Sequence, residues 1–110
     1  MENVVVYVFD LDNTLCSTIK KQNGDWDYVN SKPYFERIKK VNHLYDQGNY
    51  IIIETARGNS SKIDWFDHTF FQLKSWNLKF NQLRTGIKFG ADYYIDDKAI
   101  NSEDFFKEIK

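Results

Sequence analysis

Two acidic residues near the N-terminus are spaced so that they could support phosphoryl chemistry. Asp10 and Asp12 directly follow residues 4–9, an apolar run rich in β-branched side chains. On extended backbone, residues two apart point to the same side, so both carboxylates can address one substrate atom. One carboxylate can attack while the other transfers protons, which suits nucleophilic and acid–base catalysis.

Three further polar segments supply groups that would complement this pair. They provide a hydroxyl at Thr55, an ammonium at Lys88, and a second acid pair at Asp96 and Asp97. Carboxylates at the end of a buried strand are costly unless a cation meets them. Four acids and a lysine suit Mg²⁺ beside a phosphoryl group, so the sequence predicts a magnesium-dependent site.

The elements that would position these groups alternate along the chain, which predicts an α/β fold with a parallel sheet. Strands are predicted at 4–9, 50–53, 80–83 and 93–95. Helices are predicted from Pro33 to Gly48, from Ser61 through Leu73, and from Ser102 onward, with Phe105, Phe106 and Ile109 facing inward. Residues 15–31 are polar and predict a short flap. Every polar segment then falls at the carboxyl end of a strand, where such sheets bind ligands.

Composition favours one ordinary domain spanning residues 1–110. Hydrophobic residues make up 42% of the chain, and the formal net charge is −1, which gives no preference for nucleic acid or membrane. Cys16 is the single cysteine, so an internal disulfide cannot form. Without a signal peptide or an apolar run long enough to span a bilayer, we expect a cytoplasmic protein.

The polar residues, taken in chain order, resemble the four motifs of the haloacid dehalogenase (HAD) superfamily. The matches are Asp10, Asp12 and Thr14 for DxDx(T/V), Thr55 for the second motif, Lys88 for the third, and Asp96 and Asp97 for the fourth. Lys79 is the alternative lysine, since it also precedes a predicted strand. More narrowly, TARG at 55–58 and ADYYIDDKAI at 91–100 resemble small capless phosphatases of capsule or surface polysaccharide biosynthesis.

The resemblance implies a three-layer Rossmann-like (HAD-type) parallel sheet with helices on both faces, capless, with the flap at 15–31. Asp10 would be the nucleophile that forms an aspartyl-phosphate, and Asp12 would act as general acid and then base. Thr55 would hold phosphoryl oxygens, and Lys88 would neutralise their charge. The implied Mg²⁺ ligands are Asp10, Asp12 through its backbone carbonyl, Asp96 and, directly or through water, Asp97.

Three residues near these motifs are candidates for contacting substrate. The backbone N–H at Asn13 would bind a phosphoryl oxygen, and Arg57 would meet a substrate anion or else be a solvated surface residue. Trp26 in the flap is the candidate wall for the substrate, with packing as its alternative role.

These features predict a phosphatase for a small phosphorylated metabolite, with a sugar phosphate as the expected class. The alternatives are a phosphatase on a phosphoprotein or polynucleotide end, and a phosphate-binding module without turnover. A dinucleotide site is excluded because no GxGxxG follows the first strand. The chain carries 19 aromatic residues, more than a small core must hide, so a homo-oligomer is also expected.

Overall fold

A computed structural model of the protein describes residues 4–59 and 61–107. The strands are β1 (Val6–Phe9), β2 (Cys16–Ser17), β3 (Lys32–Pro33), β4 (Tyr50–Thr55) and β5 (Gln82–Thr85), and the helices are α1 (Phe35–Asp46), α2 (Phe66–Ser75) and α3 (Ser102–Phe105). In the described part of the chain, no helix is long and apolar enough to cross a membrane.

Three of the strands form a parallel sheet in the order β1-β4-β5, which confirms the predicted α/β class. Phe9 lies beside Ile53, and Thr55 lies beside Thr85. All three strands therefore run the same way and end at one edge of the sheet. Asp10 follows β1 at that edge, and Thr55 ends β4 there.

The core lies between this sheet and the helices that flank it. Ile51 and Ile53 of the central strand are fully buried, and α1 and α2 pack inward through Val41 and Leu73. Leu11 and Leu15 are also fully buried. Burying two leucines in the loop after β1 anchors that loop, and so fixes Asp12, which lies between them, and Asp10, which directly precedes Leu11.

The predicted flap is a small folded excursion between β1 and α1. Strands β2 and β3 pair antiparallel, and Lys20 and Trp26 form a further antiparallel bridge. The turn that joins them uses Gly24 at φ +93°, a backbone conformation that glycine adopts without strain. The flap is therefore held by backbone hydrogen bonds beside the end of β1.

Two helices begin later than the sequence predicts. Pro33 pairs with Cys16 in the β2–β3 ribbon, so α1 begins only at Phe35. The second helix was expected to start at Ser61, but α2 begins at Phe66. Lys62 has φ 64°, a left-handed conformation that a helix cannot include.

The predicted fourth strand at 93–95 is wrong. These residues form no regular structure, and Tyr93 and Ile95 are 84% and 98% exposed. A run of three apolar residues offers few hydrogen bonds and little burial to hold a strand in place. Strand β1 is consequently an edge strand, with Val6 and Val8 more than half exposed.

Two smaller expectations also differ from the structure or fall outside it. The strand expected at 80–83 is displaced to 82–85, because Asn81 is used to start the pairing: its N–H donates to the Ile51 carbonyl and its side-chain oxygen accepts from the Ile51 N–H. Phe106 packs inward as expected, whereas Ile109 lies outside the described residues.

Candidate functional site

A cavity of about 240 Å³ opens at the carboxyl ends of β1 and β4. It is lined by six of the residues that the sequence singles out, which come from four separate segments of the chain. They are Asp10, Asp12, Asn13, Trp26, Thr55 and Lys88. The fold therefore gathers the nucleophile, proton-transfer, hydroxyl and lysine candidates around one small space.

The Asp10 carboxylate is held at the cavity by two donors. Lys88 Nζ lies 3.3 Å from Asp10 Oδ1, and the Thr14 hydroxyl donates to Oδ2 across 3.4 Å. The Asp10 side chain is 37% exposed, so a substrate can reach it. Lys79, the alternative lysine, instead pairs with Asp46 on the surface.

Asp12 forms a two-pronged ion pair with Arg57. Arg57 Nη2 donates to Asp12 Oδ1 across 2.8 Å, and Nε donates to Oδ2 across 3.0 Å. Parallel bonds of this kind fix the orientation of a carboxylate as well as its position. The Thr18 hydroxyl donates a third hydrogen bond to this carboxylate, at Oδ1 and 2.6 Å. Asp12 therefore has more and shorter hydrogen bonds than Asp10.

The expectation that Arg57 is a solvated surface residue is wrong, and its contact with a substrate anion stays a prediction. Its side chain is fully buried. Its three remaining guanidinium N–H groups donate to Thr69, Gln72 and Ser31. The centre of the Tyr28 ring lies 4.6 Å from the guanidinium carbon. All five N–H groups of this arginine are thus engaged by protein acceptors.

The loop that carries both aspartates is built on a left-handed residue. Asn13 has φ 62°, a conformation that asparagine tolerates better than most residues. Its N–H donates to the Cys16 carbonyl, and its side-chain oxygen accepts from the Thr18 N–H. The backbone N–H of Asn13, which was expected to bind a phosphoryl oxygen, therefore already has a partner within the protein.

Thr55 presents its hydroxyl from the end of the central strand. The residue is buried, and its oxygen accepts the Arg57 N–H at 3.2 Å. Because the oxygen serves as the acceptor in that bond, the hydroxyl proton can still be donated to a ligand in the cavity.

The second acid pair does not join this cluster. Asp96 and Asp97 are exposed. Asp96 lines an adjoining cavity of about 800 Å³, which it shares with Asp10 and Lys88. The Lys98 N–H donates to Asp96 Oδ1 across 2.8 Å, and this bond lowers the pKa of that carboxyl. Asp97 lines neither cavity.

The predicted Mg²⁺ ligand set therefore does not fit this arrangement. Among residues 4–59 and 61–107, no group of three or more histidine, cysteine, aspartate or glutamate side chains is placed to hold a metal ion. Asp12 is bound to Arg57 and Asp10 is paired with Lys88, so protein cations already meet the two carboxylates. Asp96 and Asp97 do not converge with Asp10 and Asp12 because residues 93–95 form no strand that would hold the second acid pair at the sheet edge.

Cys16 lies beside the Asp12 network as a buried thiol. Its sulfur is 3.5 Å from the Thr18 hydroxyl and 3.7 Å from Asp12 Oδ1. Burial raises the pKa of Cys16 to about 11, so the residue stays protonated at neutral pH. A neutral thiol is a poor nucleophile, and Cys16 is a packing residue of this site.

Several residues of the site were not recognised from the sequence. Thr18, Ser31 and Gln72 support the Asp12–Arg57 pair, and Phe89 and Tyr94 line the cavity. They come from three different segments, the flap, α2 and the loop after β5, and form no spaced motif. Only the burial of an arginine, which always needs acceptors, could have indicated such partners, and that burial is not visible in the sequence.

Comparison with known proteins gives a fold relationship and no function. No protein-family model and no curated protein matches the chain. The crystal structure of a structural-genomics target from Vibrio cholerae is similar, with a TM-score of 0.74 and 27% sequence identity. The match covers 93% of this chain and 87% of that one, so the likeness extends over nearly the whole domain.

Proposed function

We propose that this protein is a phosphomonoesterase of the HAD type that uses Asp10 as its nucleophile. The observation that carries the proposal is the 3.3 Å pair between Asp10 and Lys88 in a cavity that also holds Asp12 and Thr55. An accessible carboxylate, a lysine and a hydroxyl are what attack on a phosphate ester needs.

In the first half-reaction, an Asp10 oxygen attacks phosphorus and the bond from phosphorus to the leaving oxygen breaks. Lys88 and the Thr55 hydroxyl bind the non-bridging oxygens and stabilise their charge. Asp12, in its protonated form, gives its proton to the leaving oxygen. The products are an alcohol and an aspartyl-phosphate at Asp10.

In the second half-reaction, water attacks the aspartyl-phosphate and Asp12 takes its proton. The phosphorus–oxygen bond to Asp10 breaks, which releases phosphate and restores the carboxylate. In the part of the chain that the structure describes, Asp12 Oδ2 accepts only from Arg57 Nε, whereas Oδ1 accepts from Arg57, Thr18 and Cys16. Oδ2 therefore has the acceptor capacity for the proton, and Arg57 acts as the positioning residue for it.

The requirement for Mg²⁺ stays a prediction from the sequence, and no step above depends on it. The motifs resemble those of magnesium-dependent enzymes, but the four carboxylates do not converge in this arrangement. Phosphate release in excess EDTA, compared with release in millimolar Mg²⁺, tests the requirement directly.

The open, small cavity supports a small phosphorylated metabolite as substrate. A volume of about 240 Å³ can hold a phosphoryl group and one ring, which is compatible with the expected sugar phosphate. A macromolecular phosphate ester is the second candidate, since the cavity opens to solvent beside an adjoining cavity of about 800 Å³. The homo-oligomer expected from the aromatic content stays a prediction.

Hydrolysis of p-nitrophenyl phosphate by the wild-type protein and Asp10→Asn tests the proposed chemistry. The substitution keeps the shape of the side chain but removes its nucleophilic charge, so kcat should fall on the order of 10³-fold or more. Asp67→Asn, an exposed aspartate on α2, is the matched control and should keep full activity. Equal activity of Asp10→Asn and the control would exclude the aspartyl-phosphate, whereas no phosphate release from the wild-type protein would favour the non-catalytic alternative.

A further inference from the structure

The part of the cavity beyond the phosphoryl-binding groups is aromatic. Twelve residues line the cavity, and eight of them carry none of the proposed chemistry. One of the eight, Asn13, lies in the loop of Asp10 and Asp12; the other seven form the outer wall and include Trp26, Tyr28, Phe89 and Tyr94. The other three are alanine or glycine. Among the described residues, these seven outer-wall residues contribute no charged side chain and no side-chain amide. Burial raises the pKa of the Tyr28 hydroxyl, so that group is also uncharged at neutral pH.

Two of the four rings are already used by the protein. Tyr28 is covered by the Arg57 guanidinium at 4.6 Å, and Tyr94 by Lys88 Nζ at 5.0 Å. Phe89 is different, because it is 77% exposed and takes part in none of the ring–ring or cation–ring contacts of the described residues. Trp26 is 42% exposed, with Lys20 Nζ 5.1 Å from its ring.

Leaving large apolar rings in water is unfavourable, and such rings at the mouth of a polar cavity are typical of a binding surface. The two exposed rings come from separate segments, the flap and the loop after β5, and they meet at the same cavity. Aromatic rings stack well on flat or apolar faces at little cost in conformational entropy.

Charge and hydrogen bonding limit which leaving group of a phosphate ester fits against the outer wall. Apart from Lys20, whose Nζ lies 5.1 Å from the Trp26 ring, an anionic leaving group would find no cation beside the described outer wall, and it would lie near Asp10 and Asp12. A flexible polyol would find only tyrosine hydroxyls and the indole N–H as partners, so most of its hydroxyls would lose water without replacement. Of these three kinds of leaving group, an uncharged ring gives up the fewest hydrogen bonds to water when it contacts this wall.

Building on the proposed phosphatase function, we propose that Trp26 and Phe89 select phosphate monoesters whose leaving group is an uncharged ring with an apolar face. The ring stacks on these two side chains while its phosphate reaches Asp10 and Lys88. Such a ring is either planar and aromatic or the apolar face of a pyranose, and the two sources are separated by the choice of substrate.

The test compares kcat/KM for benzyl phosphate, glucose 6-phosphate, propyl phosphate and 3-phosphoglycerate. The leaving alcohols of the benzyl and propyl esters have similar acidity, so their ratio reports the ring and not the chemistry. We expect benzyl phosphate to exceed propyl phosphate about tenfold, as one well-placed stacking contact provides. A value for glucose 6-phosphate above that for benzyl phosphate would assign the ring to a sugar, and the reverse would assign it to an aryl group.

Trp26→Ala and Phe89→Ala should each lower the benzyl-to-propyl ratio about fivefold. Phe71→Ala is the matched control, because Phe71 is similarly exposed but lies on α2 away from the cavity, and it should leave the ratio unchanged. A ratio near one in the wild-type protein, a ratio that neither variant lowers, or a preference for 3-phosphoglycerate would overturn the inference.

Acetyl phosphate separates this inference from the function on which it rests. It is an activated phosphate without a ring, so its hydrolysis reports Asp10 chemistry independently of the aromatic wall. Hydrolysis of acetyl phosphate without ring selectivity would overturn only the aromatic inference. Failure to release phosphate from acetyl phosphate and from all four esters would overturn both.

Discussion

The ion pair with Arg57 should make Asp12 a stabilising residue, in addition to its proposed role in proton transfer. Arg57 is fully buried, and within residues 4–59 and 61–107 Asp12 is the sole carboxylate among its hydrogen-bond partners. Asp12→Ala would leave the guanidinium charge in the interior with only neutral acceptors. Asp10 differs, since its ion pair with Lys88 is partly exposed on both sides.

The expected magnitudes differ accordingly. Removing one partner of a buried ion pair costs about 3–5 kcal/mol, and the lower end applies because the Asp12 side chain keeps some contact with solvent. About 3 kcal/mol corresponds to a fall in Tm on the order of 10–20 °C for a domain of this size. Asp10→Ala breaks a partly exposed pair, so its effect should be below about 1 kcal/mol.

Urea unfolding followed by circular dichroism measures both effects. Asp12→Ala should lower the free energy of unfolding about 2–3 kcal/mol more than Asp10→Ala does. Asp12→Asn should fall between them, since its amide oxygen still accepts one N–H. Arg57→Met in the Asp12→Ala background should recover part of the loss, because it removes the unpaired charge.

Two results would refute this reasoning. If Asp12→Ala and Asp10→Ala are equally stable, Arg57 does not depend on Asp12. If Arg57→Met destabilises the wild-type protein and the Asp12→Ala variant by the same amount, the two side chains are not coupled, whatever their distance.

Three further predictions concern single residues. Lys88→Met removes the cation beside Asp10, the proposed nucleophile, and should lower kcat/KM for p-nitrophenyl phosphate about 100-fold, with Tm nearly unchanged. A clear fall in Tm would instead indicate that Lys88 has a structural role. Burial raises the pKa of Cys16 from 9.0 to about 11, so this thiol should resist iodoacetamide at pH 8 until urea unfolds the chain; rapid labelling of the folded protein would contradict its burial. Because the pKa is raised in the folded state, the contribution of this thiol to stability is lost as pH rises above about 9. Gly58→Ala should lower the free energy of unfolding by about 2 kcal/mol, because φ is +89° and the new Cβ would lie 2.5 Å from the Ile63 carbonyl oxygen. Gly24→Ala is the control: its φ is +93° but the space around it is open, so it should cost about 1 kcal/mol. Equal losses in the two variants would show that the contact with Ile63 has no effect.

The sheet and the convergence of its carboxyl ends could be predicted because they depend on local pattern and topology. Apolar, β-branched runs indicate β1 and β4, and parallel strands must end at one edge. That alone is enough to bring Asp10 and Thr55 together. The sheet position of 93–95 was not predictable, since three residues have too little intrinsic preference to decide it.

The role of Arg57 could not be predicted for a different reason. Its partners lie at 12, 31, 69 and 72, so no local window contains them. A buried and a solvated arginine look the same in sequence, and only the packing of α2 against the end of the sheet decides between them. The start of α1 could not be predicted for the same reason, because Pro33 pairs with Cys16, a residue far from it in sequence.

The open edge of β1 has a consequence for the exchange of backbone hydrogens with solvent. In a parallel strand, successive residues direct their N–H groups to opposite neighbours, and the Val5 carbonyl accepts from Tyr50 N–H on the β4 side. The N–H groups of Val6 and Val8 therefore face away from β4, where no strand of the described chain pairs with them. Amides of the central strand, such as that of Ile53, are sheltered on both sides and open only with the whole domain. In deuterated water, neighbouring residues of one strand thus belong to two populations, one that exchanges like a loop and one that reports global unfolding.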